Sequence, residues 1–253
     1  MPILRQNDSG EGCTKPFLGH LMDLRQTLIL SLAFLVVGMT IAIFLARPIL
    51  AALMLCMERT GRDPDDFVRV TTLAGGFFAG CRIVLWAGLI ISAPAVIWAI
   101  CRFVFPGLTA REKKAILRGS GFAAVLFAGG VALGYFTTMP IAIEMMFYID
   151  ELLGVTCEWV ELRDYVGFVL KLLLAFGLAF ELPVVVLALG SVGIVKSAQL
   201  REKRRHVIVG LMILAMLLTP QDPITMLMMA LPLIALYEMC IWWIWVKEKK
   251  KSV

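Results

Sequence analysis

Charge is scarce in this sequence. Only 17% of its 253 residues are Asp, Glu, Lys or Arg, against 60% hydrophobic, and the mean hydropathy is +0.87. That balance excludes an ordinary soluble domain, because a chain of this length cannot hide so much apolar surface from water. Lipid must be the solvent for much of it. Histidine is nearly missing: His20 and His206 stand far apart, and Cys13, Cys56, Cys81, Cys101, Cys157 and Cys240 form no CxxC or Cys/His pairing. Neither a metal site nor a cofactor is predicted. There is no nucleophile elbow, HExxH, phosphate-cradling Gly loop or Ser/His/Asp set, so no enzyme is expected. The first 25 residues lack the charged start, short apolar stretch and small-residue cleavage site of a secretory leader. The first span is therefore expected to stay attached.

What is abundant is apolar run length. Crossing about 30 Å of hydrocarbon takes about 20 apolar residues, and runs of that order lie at roughly 26 to 46, 77 to 101, 119 to 143 and 165 to 192. A fifth, roughly 207 to 219, covers only about 20 Å at about 1.5 Å per residue. A sixth, roughly 224 to 246, is interrupted by Pro232 and Glu238. The reading is all-α, with six transmembrane helices and bilayer thinning around the last two. One membrane domain is expected over 1–253, with an N-terminal segment 1–25, a bundle 26–246 and a basic tail 247–253.

Charge then orients the spans, because short cytoplasmic loops collect Lys and Arg. Arg102, Arg111, Lys113, Lys114 and Arg118 lie between the second and third spans, and Lys196, Arg201, Lys203, Arg204 and Arg205 between the fourth and fifth. The tail adds Lys247, Lys249, Lys250 and Lys251, whereas the segment after the third span carries Glu144, Asp150, Glu151, Glu158, Glu161 and Asp164. Both termini are predicted inside, in the cytoplasm, and the acidic loop outside. The net charge of +5 is then positive-inside bias, with no nucleic-acid partner implied. Cys56 and Cys157 both fall in outer loops, so a disulfide is open to them. Small apolar filler is the preferred reading.

Polar groups within the apolar runs are the candidate functional residues. Glu181 stands near the middle of the fourth span, where an ionisable group is expensive and should face a cavity or partner. A bland alternative is a protonated carboxyl bonded inside the bundle, since Pro183 frees a backbone carbonyl nearby. Lys171, ten residues earlier, is about 15 Å from it along a helix and is read as reaching for the outer interface. Glu238 precedes Trp242, Trp243 and Trp245, which read as an interfacial belt. It meets either a polar residue of another subunit or headgroup water.

Several separate stretches, in order, resemble the TatC family, the polytopic core of the twin-arginine protein translocase. They are HLMDLR at 20–25, FVFPGLTAREKKAI at 103–116, YFTTMPIA at 135–142, YVGFVLKLLLAFGLAFELPVVVLAL at 165–189, LREKRRHVIVGLMILAMLLTPQDPITMLMMALPL at 200–233 and YEMCIWW at 237–243. The likeness spans nearly the whole chain from His20 to about Trp243. It implies a cupped, glove-like bundle in the inner membrane. It also implies a cytoplasmic surface that recognises the paired arginines of a folded cargo protein's signal peptide, with export driven by the proton-motive force.

The family's two signal-binding acids fall on Asp23 and Glu112. A guanidinium pair suits carboxylates. Asp23 is one methylene shorter than the family's usual Glu, and Glu112 is also readable as a solvated acid neutralising a basic loop. Arg25 of the same motif braces Asp23 or contacts headgroups, and Phe103 matches an aromatic position beside the peptide site. Pro106 is predicted to turn the chain out of the second span, and Pro48 to turn it into an outer cap after the first. Glu181 matches the acid on the concave side of the fourth span. Thr219, Gln221 and Asp222, between the last two spans, match the surface where single-span TatA- and TatB-type partners dock. Further copies of the chain are implied partners as well. The reading from another class is a small proton-coupled transporter with Glu181 as relay. It lacks the repeated halves such folds usually show.

Overall fold

The structure is a computed structural model that describes residues 17–104, 110–154, 159–192, 197–218 and 223–251. Helix α1, Phe17–Glu58, is followed by the short α2, Pro64–Phe67, and by α3, Gly75–Val104. Next come α4, Ala110–Leu133, a π-helical segment, Gly134–Thr138, and α5, Met139–Leu152, in direct succession. Then follow α6, Leu162–Ala179, α7, Leu182–Val192, α8, Ser197–Glu202, α9, Arg204–Leu218, and α10, Pro223–Lys251. The expected all-α character holds with one addition. Val68–Arg69 (β1) pairs in parallel with Val160–Glu161 (β2), a two-residue ladder that ties the α2–α3 connection to the start of α6. The side of the bundle carrying it is here the ladder end, and the opposite side, with the Lys- and Arg-rich connections, the basic end.

Four helical stretches, Leu21–Glu58, Gly75–Phe103, Gly121–Leu152 and Leu162–Leu187, are long and apolar enough to cross a membrane. Two further apolar helices are shorter: α9 has 15 residues, about 22 Å of helix, and the apolar part of α10 is Ala230–Val246.

Close packing rests on glycine. The pairs Phe34–Trp98, whose rings meet edge to face at 6.5 Å, and Gly38–Gly88 show that α1 and α3 run antiparallel. A Cβ on Gly38 would stand 2.7 Å from the Gly88 carbonyl oxygen, and one on Gly88 2.8 Å from Met39 Cα. In lipid, where burial drives little, such backbone approach supplies the van der Waals contact that holds helices together. The same device joins α4 to α6: a Cβ on Gly177 would strike the Phe127 ring at 2.6 Å, and one on Gly130 would strike Phe180 at 2.7 Å. Helix α6 is central, burying Val166, Val169, Leu172 and Phe176 in the common core.

Proline decides where helices deviate, though not always as the sequence suggests. Pro48, predicted to turn the chain, lies inside α1, which continues to Glu58. Within a membrane helix the freed carbonyl and missing N–H are tolerable, so the proline does not end it. Pro140, at the start of α5, has the opposite effect: its ring crowds the carbonyl of Phe136 one turn earlier, and the backbone widens into the π segment Gly134–Thr138. Pro183, at the start of α7, removes the donor that Ala179 would need. The span read as continuous over 165–192 is therefore broken at Phe180–Glu181.

Candidate functional site

At the basic end, the beginning of α1, the end of α3 and the beginning of α4 share one corner. About three turns below the Phe34–Trp98 contact, α1 reaches Asp23. By the antiparallel register, that is the level of the α3–α4 connection. Asp23 is half-buried there, Arg25 is exposed, and the Thr27 hydroxyl donates to the Asp23 carbonyl at 2.9 Å. Phe103 is half-buried in the last turn of α3. Glu112 lies in the first turn of α4, where the helix dipole favours an anion. Its side chain lies outside the described residues, as does Pro106. The corner thus carries two acidic positions on separate helices, with Phe103 on a third. Carboxylates are the groups that suit a guanidinium.

Glu181 occupies the break between α6 and α7. Phe180 N–H donates to the Phe176 carbonyl at 3.0 Å and Glu181 N–H to the Leu178 carbonyl at 3.1 Å, a tightened last turn. The Glu181 carbonyl accepts from Val185 at 3.2 Å. Its side chain is buried, with 8% exposure, and among the described residues Oε1 has no hydrogen-bond partner. Lys171 is engaged elsewhere, its Nζ 5.5 Å from the centre of the Trp86 ring. A carboxyl oxygen held in the bundle without a donor is a latent acceptor.

Glu238 has a partner within the chain. Arg204, the first residue of α9, places Nη2 2.8 Å from its Oε2, so the acid is paired within the chain. No spacing in the sequence points to this pair, because the two stand 34 positions apart, and the RRH before the fifth run reads simply as basic flank. Thr219, Gln221 and Asp222 lie outside the described residues.

The ladder end is densely stitched. The Tyr135 hydroxyl donates to the Ala52 carbonyl at 2.6 Å and the Tyr165 hydroxyl to the Leu53 carbonyl at 2.7 Å, both on the last turns of α1. Arg82 Nη1 lies 3.0 Å from Asp164 Oδ1 and 2.9 Å from the Arg163 carbonyl. Arg163 in turn stands 3.5 Å from Glu161. Cys56 is a buried free thiol, directed at the Tyr135 carbonyl at 3.8 Å. The filler reading of this cysteine stands over the disulfide, whose other member, Cys157, is outside the described residues. A polar pocket of about 330 Å³ opens here between Thr60, Gly61 and Arg62 on one side and Glu144, Tyr148 and Glu151 on the other.

Comparison with known proteins bears on the whole arrangement. A family model described as "Sec-independent protein translocase protein (TatC)" matches residues 19–232. A protein of that name from Deinococcus radiodurans is 36% identical over 235 residues, covering 90% of this chain and 85% of the relative. One from Magnetococcus marinus is 32% identical, covering 94% and 86%. Among solved structures, "Crystal Structure of Twin Arginine Translocase Receptor- TatC" superposes with a TM-score of 0.77 at 30% identity, covering 90% of this chain and 98% of that one. The same receptor solved in the detergent DDM gives the same TM-score, with 88% of this chain covered. Matched across nearly its whole described length in sequence and in fold, the chain belongs to the TatC family.

Proposed function

We propose that this chain is the signal-peptide receptor and core membrane subunit of a twin-arginine translocase, exporting folded proteins across the cytoplasmic membrane under the proton-motive force. The observation that carries this reading is the corner of Asp23, Phe103 and the Glu112-bearing first turn of α4, in a chain of the TatC family. Asp23 and Glu112 hold the signal peptide's paired guanidinium groups, Phe103 packs against the peptide, and Arg25 orients Asp23. The function is transport by assembly, without catalysis of a small-molecule reaction. The proton-coupled transporter alternative gains nothing, since every relative and structure described above is a translocase protein.

In this reading the chain is one membrane domain over 1–253, a cupped bundle of six spans with α9 and α10 as the short pair. The basic end faces the cytoplasm, as do both termini, because Lys and Arg concentrate there. Glu181, with its unpartnered oxygen, accepts a donor from a TatA- or TatB-type helix. Thr219, Gln221 and Asp222 supply polar contacts to the same class of partner. Other copies of the chain complete the receptor complex.

The test is crosslinking of the membrane-embedded protein to a twin-arginine signal peptide and to the same peptide with both arginines changed to lysine. The wild type is expected to prefer the arginine peptide, and Glu112→Ala to lose at least tenfold in binding it, consistent with a charged hydrogen bond of about 1.5–3 kcal/mol. Equal binding of both peptides, unaffected by Glu112→Ala, overturns the receptor reading.

A further inference from the structure

Where α8 meets the end of α10, two cations converge on one indole. The Arg201 guanidinium carbon stands 5.7 Å from the centre of the Trp245 ring, and Lys249 Nζ stands 5.5 Å from the same ring. Neither arrangement is left to chance. The Ser197 backbone N–H donates to Glu248 Oε1 at 3.1 Å and the Ser197 hydroxyl donates to Oε2. At the other end of α8, the Tyr237 hydroxyl donates to the Leu200 carbonyl at 3.0 Å. Helix α8 is therefore pinned to α10 at both ends, and Arg201 is presented rather than trailing in solvent. Close by, Glu248 bonds Ser197 and Glu238 bonds Arg204.

The setting defines the ligand. Trp242 and Trp243, 62% and 63% exposed, stand on the same stretch of α10 beside Met239, also exposed. Indoles at the end of an apolar helix mark the boundary between acyl chains and headgroups. Cations at that depth, beside uncovered apolar rings, fit a molecule that is anionic at one end and apolar at the other. The arginine pair of a signal peptide carries the wrong sign, so this surface is distinct from the Asp23 corner. We propose that the α8–α10 corner binds the phosphate of an anionic phospholipid, held by Arg201 and Lys249 while Trp242, one turn before Trp245 on the same face of α10, packs along the upper acyl chains. The proposal stands apart from signal-peptide recognition and does not require it.

The full-length protein, purified in detergent and stripped of lipid, is offered equal amounts of phosphatidylglycerol and phosphatidylcholine with matched chains. Retained lipid is counted by native mass spectrometry. The wild type is expected to favour phosphatidylglycerol. The pair Arg201→Gln and Lys249→Gln should lose on the order of tenfold of that preference, whereas the charge-matched pair Lys203→Gln and Arg205→Gln should keep it. Loss of preference in both double variants would mean bulk charge and overturn the site. Equal retention of the two lipids by the wild type would leave the corner to an acidic protein segment and overturn the lipid assignment. A second measurement needs no variant: a photoreactive phosphatidylglycerol should label 197–206 and 240–251 of the wild type, and labelling confined to other segments refutes the proposal.

Discussion

The two ends of the bundle are stitched across different sets of helices. At the ladder end, Arg82, Arg163, Asp164 and Glu161 neutralise one another, two tyrosine hydroxyls cap carbonyls of α1, and Arg62 lies over the Phe147 ring at 3.6 Å. At the basic end, Ser197 bonds Glu248, the Tyr237 hydroxyl caps the Leu200 carbonyl, Arg204 pairs with Glu238 and Arg201 lies over the Trp245 ring. The ladder-end contacts join α1, α3 and α6 to one another, whereas the basic-end contacts hold α8 and α9 to α10 and set Arg201 beside Trp245 before any ligand arrives. Binding sites need such groups preset, because ordering them on contact would subtract from affinity.

Three substitutions break or sharpen this contrast. The largest effect is expected from Gly167→Leu, since even a Cβ at Gly167 would stand 2.7 Å from Arg82 Nη1. Displacing that guanidinium, the movable end of a flexible side chain, breaks its contacts to α6 and should lower stability by about 1.5 kcal/mol, read as a fall in thermal midpoint in detergent. An unchanged midpoint would mean the Arg82 contacts do not hold α3 to α6. Next is Tyr165→Phe, which removes a buried hydroxyl from the Leu53 carbonyl and should cost about 1 kcal/mol by the same measurement. Smallest is Arg204→Gln. Its partner Glu238 is similarly exposed, so the pair should contribute less than about 1 kcal/mol, and a larger drop would show that the basic end is stitched as tightly as the other.

Much of this was legible in the sequence, and the exceptions share a cause. The long spans declared themselves by hydropathy, and Glu181 stood out as a polar group within an apolar run, which the structure buries. Proline was the poor guide. Pro48 and Pro183 look alike on paper, each in an apolar run, yet α1 passes through the first and the fourth span breaks at the second. What a helix does at a proline depends on which neighbours take up the freed carbonyl, and that is tertiary information. The pairing of Glu238 with Arg204 was hidden for the same reason. Gly38 and Gly88 gave no signal either, since a glycine pressed against a backbone and one open to lipid are spelled the same way.

The π segment at Gly134–Thr138 sets a phase. One extra residue in a helical turn rotates all that follows by about 100° relative to an unbroken α-helix. A helical wheel drawn straight through 119–143 and onward therefore assigns α5 the wrong azimuth. The rotation turns Met139, Ala142 and Ile143 inward and leaves Glu144, Tyr148 and Glu151 on the wall opposite Thr60, Gly61 and Arg62. Removing a single residue from the segment would swing that acidic wall away from the end of α1 and carry Phe147 off Arg62. The widened turn is thus an indexing step, by which one backbone irregularity in the third span decides what the ladder end of the first one faces.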